Sequence, residues 1–217
     1  MGAPTSTPRL RLRSLVCAWL AALAVAVPVL AQPREPVLLV VGDSISAGYG
    51  LPAGKVWVDL LAARLKADGY RYRVVNASIT GDTTAGGRAR ITPLLVAPQP
   101  AVVIIELGGN DALRGGRLAA TRENLDAMVT LVQRAKAKVL LVGMQMPSNY
   151  GPAYVREFNE VFTTVAKTHK VPLVPFFFEG FGEDMAYFQS DRIHPTAEAQ
   201  PRLLDNVWPA LKPLLAR

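Results

Sequence analysis

The stretch Val37-Leu38-Leu39-Val40-Val41-Gly42-Asp43-Ser44-Ile45-Ser46 sets five apolar residues in an unbroken run before a glycine, an acid and a serine. Alternation would mark a strand with one wet face, whereas a continuous run of this length suits a strand buried on both faces. Residues 72–76, 102–106, 139–142 and 172–177 have the same character. Between these runs the spacing becomes helical: Trp57, Leu60, Leu61 and Leu65, then Leu125, Met128, Val129 and Val132, then Phe158, Val161, Phe162 and Val165. The alternation predicts an α/β fold in which a five-stranded parallel sheet is wrapped by helices on both faces. A last helix, roughly 197–215, carries Leu203, Leu204, Val207, Trp208 and Leu211, with Pro209 and Pro213 expected to break or bend it.

The chain has 217 residues, half of them apolar and 19% charged, a balance that supports one buried core and excludes wholesale disorder. No internal repeat or linker divides it. Lys and Arg number 24 against 17 Asp and Glu, but Arg9, Arg11 and Arg13 fall in an acid-free N-terminal stretch, without which the excess drops from +7 to +4. That remainder is scattered, which argues against nucleic-acid binding. Those arginines precede an apolar run over 15–30 and then Val29-Leu30-Ala31, the pattern of a secretory signal peptide cut after Ala31. The run is short for a bilayer span and contains Pro28. Expected organisation is therefore a signal peptide over 1–31 and a single domain over 32–217, exported, periplasmic in a Gram-negative host, with no membrane span once the signal is removed. Cys17, the sole cysteine, lies inside the signal, so the mature chain has neither disulfides nor thiolate metal sites.

Ligands of open parallel sheets bind beyond the carboxyl ends of strands, and the unusual sequence is concentrated there. The junctions read Gly42-Asp43-Ser44-Ile45-Ser46, Ser78-Ile79-Thr80-Gly81-Asp82, Gly108-Gly109-Asn110-Asp111 and, after a long segment from Phe178, Asp191-Arg192-Ile193-His194-Pro195. Of two histidines, His169 stands near the end of an amphipathic helix and reads as solvated and structural. His194 follows Asp191 by three residues, a spacing that can set a carboxylate against one ring nitrogen while the other faces a hydroxyl. Ser44, after a buried strand and Gly42, is the candidate nucleophile. Gly81 can offer an unobstructed backbone N–H and Asn110 a side-chain amide to a developing oxyanion. Each motif alone reads equally well as turn or cap chemistry: Asp43, Ser44 or Ser46 can cap a helix, and Asn and Gly dominate turns.

Taken together and in order, Gly42-Asp43-Ser44, Gly81, Gly108-Gly109-Asn110-Asp111 and Asp191-x-x-His194 resemble the GDSL or SGNH hydrolase family, from Val37 onward. Within it the chain looks most like the secreted bacterial acyl-CoA thioesterase, lysophospholipase and arylesterase group, through 42–49, 75–83, 106–111, 149–151 and 172–177. The resemblance implies a three-layer flavodoxin-like fold. It implies Ser44 as nucleophile, His194 as base and then acid, and Asp191 as the group orienting His194. The Ser44 N–H, the Gly81 N–H and the Asn110 side chain would form an oxyanion hole. Ile45 replaces the family's usual leucine and keeps an apolar branched side chain. Residues 113–117 resemble a mobile loop over acyl chains, and Leu113, Met146 and Tyr150 are candidate lining residues of an acyl groove. The expected substrate is a small or lipid acyl ester or thioester with a medium to long acyl chain, taken by a monomer without metal or organic cofactor.

Two other chemistries use the same junctions. A carbohydrate acetylesterase would share the triad, since the tetrahedral intermediates are alike. A metal-dependent phosphoesterase would instead use Asp43, Asn110, Asp191 and His194, a thin supply of ligands. A non-catalytic anion-binding module lacks a familiar phosphate loop, because Gly54-Lys55 is followed by Val56.

Overall fold

The computed structural model describes residues 1–2 and 35–217, so the expected signal peptide and its cleavage point lie outside the described residues. Five parallel strands form one sheet: β1 (Val37–Gly42), β2 (Arg73–Asn76), β3 (Val102–Glu106), β4 (Lys138–Val142) and β5 (Leu173–Val174), in the order β2-β1-β3-β4-β5. Strands β1, β3 and β4 lie inside the sheet, which is why their runs are apolar without alternation. Side chains nevertheless alternate between two cores. Leu38, Val40, Val102, Ile104, Leu140 and Val142 face one apolar cluster with α2 (Trp57–Ala67) and α7 (Gln200–Leu211). Leu39, Val41, Val103, Ile105, Val139 and Leu141 face another with α3 (Thr84–Val96), α5 (Leu118–Arg134) and α6 (Pro152–His169). Each strand thus contributes to both faces, and the fold is three-layered.

Three sequence expectations are corrected. The last strand is Leu173–Val174, not 172–177, because Pro175 has no N–H to donate. The chain turns there, and Gly143 N–H to Val174 O at 2.8 Å and Phe177 N–H to Gly143 O at 2.9 Å close the end of the ladder. Helix α7 runs through Pro209 without breaking, preceded by a 3₁₀ turn at Ala197–Ala199 and followed by one at Lys212–Leu214 that accommodates Pro213 in its first turn. Its final turn is held by packing: Leu211 is buried, and Trp208 meets Tyr70 edge-on and carries the Arg64 guanidinium 4.3 Å above its ring. His169 is not simply solvated. Its Nε2 lies 2.7 Å from Asp126 Oδ1 and its Nδ1 3.3 Å from Gln133 Oε1, since the end of α6 packs on α5. No described helix is long and apolar enough to cross a membrane.

The sheet order places β1 and β3 side by side at the centre, so the segments after them emerge together. Strand β5 is at the edge, and the long segment after it must travel back. Phe177, Phe178, Phe181 and Phe188 pack ring against ring along that route. An antiparallel bridge between Phe188 and Pro195 then folds 188–195 into a tight excursion.

Candidate active site

After β1 the chain makes a single helical turn, α1 (Ser44–Ala47), with Ser44 at its first position. Asp43 caps it, Oδ1 accepting Ile45 N–H at 3.0 Å. Ser44 Oγ is 2.8 Å from His194 Nε2, and His194 Nδ1 is 2.6 Å from Asp191 Oδ2. The other Asp191 oxygen accepts Ile193 N–H at 2.9 Å and His194 N–H at 3.0 Å, so one carboxylate shapes the loop and orients the ring. Burial tends to raise its pKa, but hydrogen bonds from the His194 N–H, the His194 ring and the Ile193 N–H outweigh that and hold Asp191 at about 2. The ring is braced from the side by Tyr49, centroids 4.4 Å apart. Gln189 ties the loop down, its N–H donating to His194 O at 2.8 Å and its Nε2 to Tyr49 O at 2.8 Å.

The segments after β2 and β3, which carry Gly81 and Asn110, reach the end of β1 and the cap of the Ser44 turn. Gly81 has φ +78°, a conformation that favours glycine. Two residues earlier, Ile79 N–H donates to Gly42 O at 3.0 Å, bringing that loop against the end of β1. The loop is also clasped by Arg90, which ion-pairs with Asp82 at 2.7 Å and donates to Ala77 O. Asn110, in the short helix α4 (Gly109–Leu113), donates from Nδ2 to Asp43 Oδ2 at 3.0 Å, leaving its second amide hydrogen free to point elsewhere. Asp111 joins the β2 and β3 loops by accepting Thr84 N–H at 2.9 Å and the Thr84 hydroxyl at 2.5 Å. Among the described residues, neither the Ser44 N–H nor the Gly81 N–H has an acceptor. This arrangement can generate a serine nucleophile and offer donors to an anionic oxygen.

The candidate lining residues are spread more widely. Leu113 is partly exposed at the end of α4. Tyr150 is partly exposed and stacked on Tyr154. Met146 is buried in the apolar cluster of α5 and α6. The turn over 113–117 is tied back to α4, Gly116 N–H donating to Asp111 O at 2.8 Å, and Tyr154 Oη donates to Ala112 O. Tyr49, Leu51, Pro195 and Gln200 pack around Ser44 and His194. A separate groove lined by Arg88, Arg122, Asp126 and Thr168 contains none of these site residues. Of the ligand set considered for a metal, Asp43 is engaged by Ile45 and Asn110 while Asp191 is engaged by His194 and its own loop.

Two buried acids lie beside the Ser44 turn: Asp43, which the sequence offered as a cap or metal ligand, and Glu106, to which it assigned no role. Burial pushes Asp43 up to about 6, against the Ile45 hydrogen bond, the nearby His194 and the Asn110 hydrogen bond, which lower it. Burial, and then the neighbouring Asp43 carboxylate, push Glu106 well above the ordinary carboxyl range. The available signal was Glu106 itself, an acid closing an otherwise apolar central strand, where a charge requires partners.

The profile of the GDSL-like Lipase/Acylhydrolase family matches residues 40–201. Esterase TesA of Pseudomonas aeruginosa is 55% identical over 184 residues, spanning 85% of this chain and 92% of that protein. Thioesterase 1/protease 1/lysophospholipase L1 of Escherichia coli K12 is 41% identical over 178 residues, spanning 82% of this chain and 84% of that one. A crystal structure of TesA superposes with a TM-score of 0.81 at 56% identity, covering 82% of this chain and 99% of the other.

Proposed function

Because this chain belongs to the GDSL-like lipase/acylhydrolase family, we propose that Ser44, His194 and Asp191 are the triad with which it cleaves acyl esters. The protein is a hydrolase of carboxylic esters and thioesters. What supports the triad above all is the unbroken relay from Ser44 Oγ to His194 Nε2 at 2.8 Å and from Nδ1 to Asp191 at 2.6 Å.

In this reading His194 Nε2 takes the Ser44 proton as Oγ bonds to the acyl carbon. The carbonyl oxygen becomes an oxyanion, received by the Ser44 N–H, the Gly81 N–H and the free hydrogen of Asn110 Nδ2. Collapse breaks the bond to the alcohol or thiol, which leaves with the proton from His194, and an acyl ester remains on Ser44. Water then attacks that ester with His194 again as base, releasing the carboxylic acid. Asp191 stays ionised throughout, held near 2 by its hydrogen bonds.

The reading extends to the rest of the chain. Residues 1–31 direct export and are removed, leaving 32–217 as a monomeric hydrolase, periplasmic in a Gram-negative host. Leu113 and Tyr150 border the path of a medium to long acyl chain. The deciding experiment is intact-mass analysis of folded wild type and Ser44→Ala after exposure to a fluorophosphonate, which reacts with an activated serine. One adduct on wild type and none on the variant is expected. Folded wild type that gains no mass would refute the triad.

A further inference from the structure

The turn that carries Ser44 cannot hold itself. Helix α1 has four residues, far below the length at which a helix persists in water. Its first N–H groups have no acceptors within it. Asp43 Oδ1 satisfies one of them. Beyond the bonds of the turn itself, three other elements converge on Ser46. Asn76 Nδ2 on β2 donates to Ser46 O at 2.7 Å, and Trp57 Nε1 on α2 donates to Ser46 Oγ at 3.2 Å. Ser46 Oγ in turn donates to Glu106 Oε2 on β3 at 2.7 Å. The same Oε2 accepts Asp43 N–H at 3.4 Å. One oxygen therefore grips the residues on both sides of Ser44.

The placement of that oxygen is costly and specific. Glu106 is 3% exposed, and none of the ion pairs among the described residues includes it. Burying an acid without a cation is unfavourable, and an apolar residue there would continue the pattern of Val102 to Ile105. Gly42, opposite Glu106 in the β1–β3 register, makes the approach possible. A Cβ at position 42 would sit 2.7 Å from Glu106 Oε2 and 2.8 Å from Ser46 Oγ. The glycine, the acid and Ser46 form one fitted unit beneath the nucleophile.

We propose that Glu106 is a positioning residue of the hydrolase: by holding Asp43 N–H and Ser46 Oγ on one oxygen, it sets the direction of both Ser44 Oγ and the Ser44 N–H. The inference rests on the reading of Ser44 as nucleophile. It touches neither substrate nor the reacting atoms and acts only through the turn.

The test compares Glu106→Leu, Glu106→Gln and Ser46→Ala with wild type, by steady-state hydrolysis of a p-nitrophenyl ester, fluorophosphonate labelling rate and thermal melting. Leucine fills the space without an acceptor, and loss of alignment should lower kcat and labelling on the order of 10- to 100-fold with KM nearly unchanged. Melting should not fall in step, because an apolar side chain removes a buried acid. Glutamine keeps an oxygen at the same place and should recover most of the rate. Ser46→Ala removes the same bond from the other side, along with the Trp57 contact, and should lower kcat and labelling likewise; if Glu106→Leu does not fold, a folded Ser46→Ala enzyme with wild-type kcat and labelling overturns the proposal. A folded leucine variant with wild-type kcat and labelling would overturn the proposal, as would a change in KM alone or a glutamine variant as slow as leucine. Wild type that never labels at Ser44 would instead sink the functional reading, whatever the Glu106 variants do.

Discussion

Replacing Asp191 with asparagine exchanges one carboxylate oxygen for an NH₂ while leaving the shape intact, and the structure dictates which way the amide turns. The native carboxylate has two duties: Oδ1 accepts the N–H groups of Ile193 and His194, and Oδ2 faces His194 Nδ1. Asparagine has one oxygen. Kept on the loop, it preserves two hydrogen bonds and aims its NH₂ at Nδ1, which must then accept, so the ring carries its hydrogen on Nε2 and cannot take the Ser44 proton. Turned the other way, it preserves the ring contact but sets NH₂ against two N–H donors. At about 1 kcal/mol per bond, with a donor–donor contact added, the wrong tautomer is favoured by roughly 2–3 kcal/mol. Loss of the charge-assisted bond to the imidazolium removes about 2–3 kcal/mol more from the transition state. At about 1.4 kcal/mol per decade, kcat should fall roughly 10³- to 10⁴-fold. Melting should fall only modestly at neutral pH, because the loop bonds survive while the stability tied to the lowered Asp191 pKa is lost. The assay is kcat on a p-nitrophenyl ester beside thermal melting of the same preparation. A folded Asp191→Asn enzyme within tenfold of wild type would refute the orientation argument.

Asn110→Ala should lower kcat about 10²- to 10³-fold through loss of one oxyanion donor, with KM little changed; a purely KM effect measured in the same ester assay would contradict that role. Asp43 gives a pH signature in stability. Its folded pKa, about 6, lies above the ordinary 3.8, so the fold binds its proton more tightly than the unfolded chain does, and stability declines as Asp43 ionises between those values. Asp43→Asn removes that titration, and its melting temperature relative to wild type should rise from pH 4 to pH 6; a difference constant across that window would argue that Asp43 is not held as described. Asp191 acts with the opposite sign: held at about 2, it contributes stability present above pH 3.8 and lost as pH falls toward 2.

The parts of this protein legible in its sequence were those in which one physical demand dominates. The runs at 37–41 and 102–105 lie between two helical layers, so burial alone dictates their composition. Where two demands compete, local reading favoured the wrong one. At 172–177 the apolar run argued for a long strand, but Pro175 ended the ladder after two residues. At Pro209 the lost backbone hydrogen bond argued for a break or bend, but Trp208 and Leu211 are anchored in the core and the helix continues to Leu211. For Ser44, His194 and Asp191 the signal in the sequence was the order and spacing of their motifs, and the structure brings the three side chains within hydrogen-bonding distance.

Glu106 is the instructive omission. Counted as the last residue of a strand, it satisfied the fold reading and raised no question. The strand was nevertheless expected to be buried on both faces, and an acid in that position must either be repelled from the fold or be given donors. The structure supplies Ser46 Oγ and Asp43 N–H, on the two sides of Ser44. An acid inside a buried strand was thus already a statement about its neighbours, and the nearest unexplained neighbour across the sheet is the serine turn. Gly42 completes that argument, since the residue paired with the acid is the one with no side chain to obstruct it.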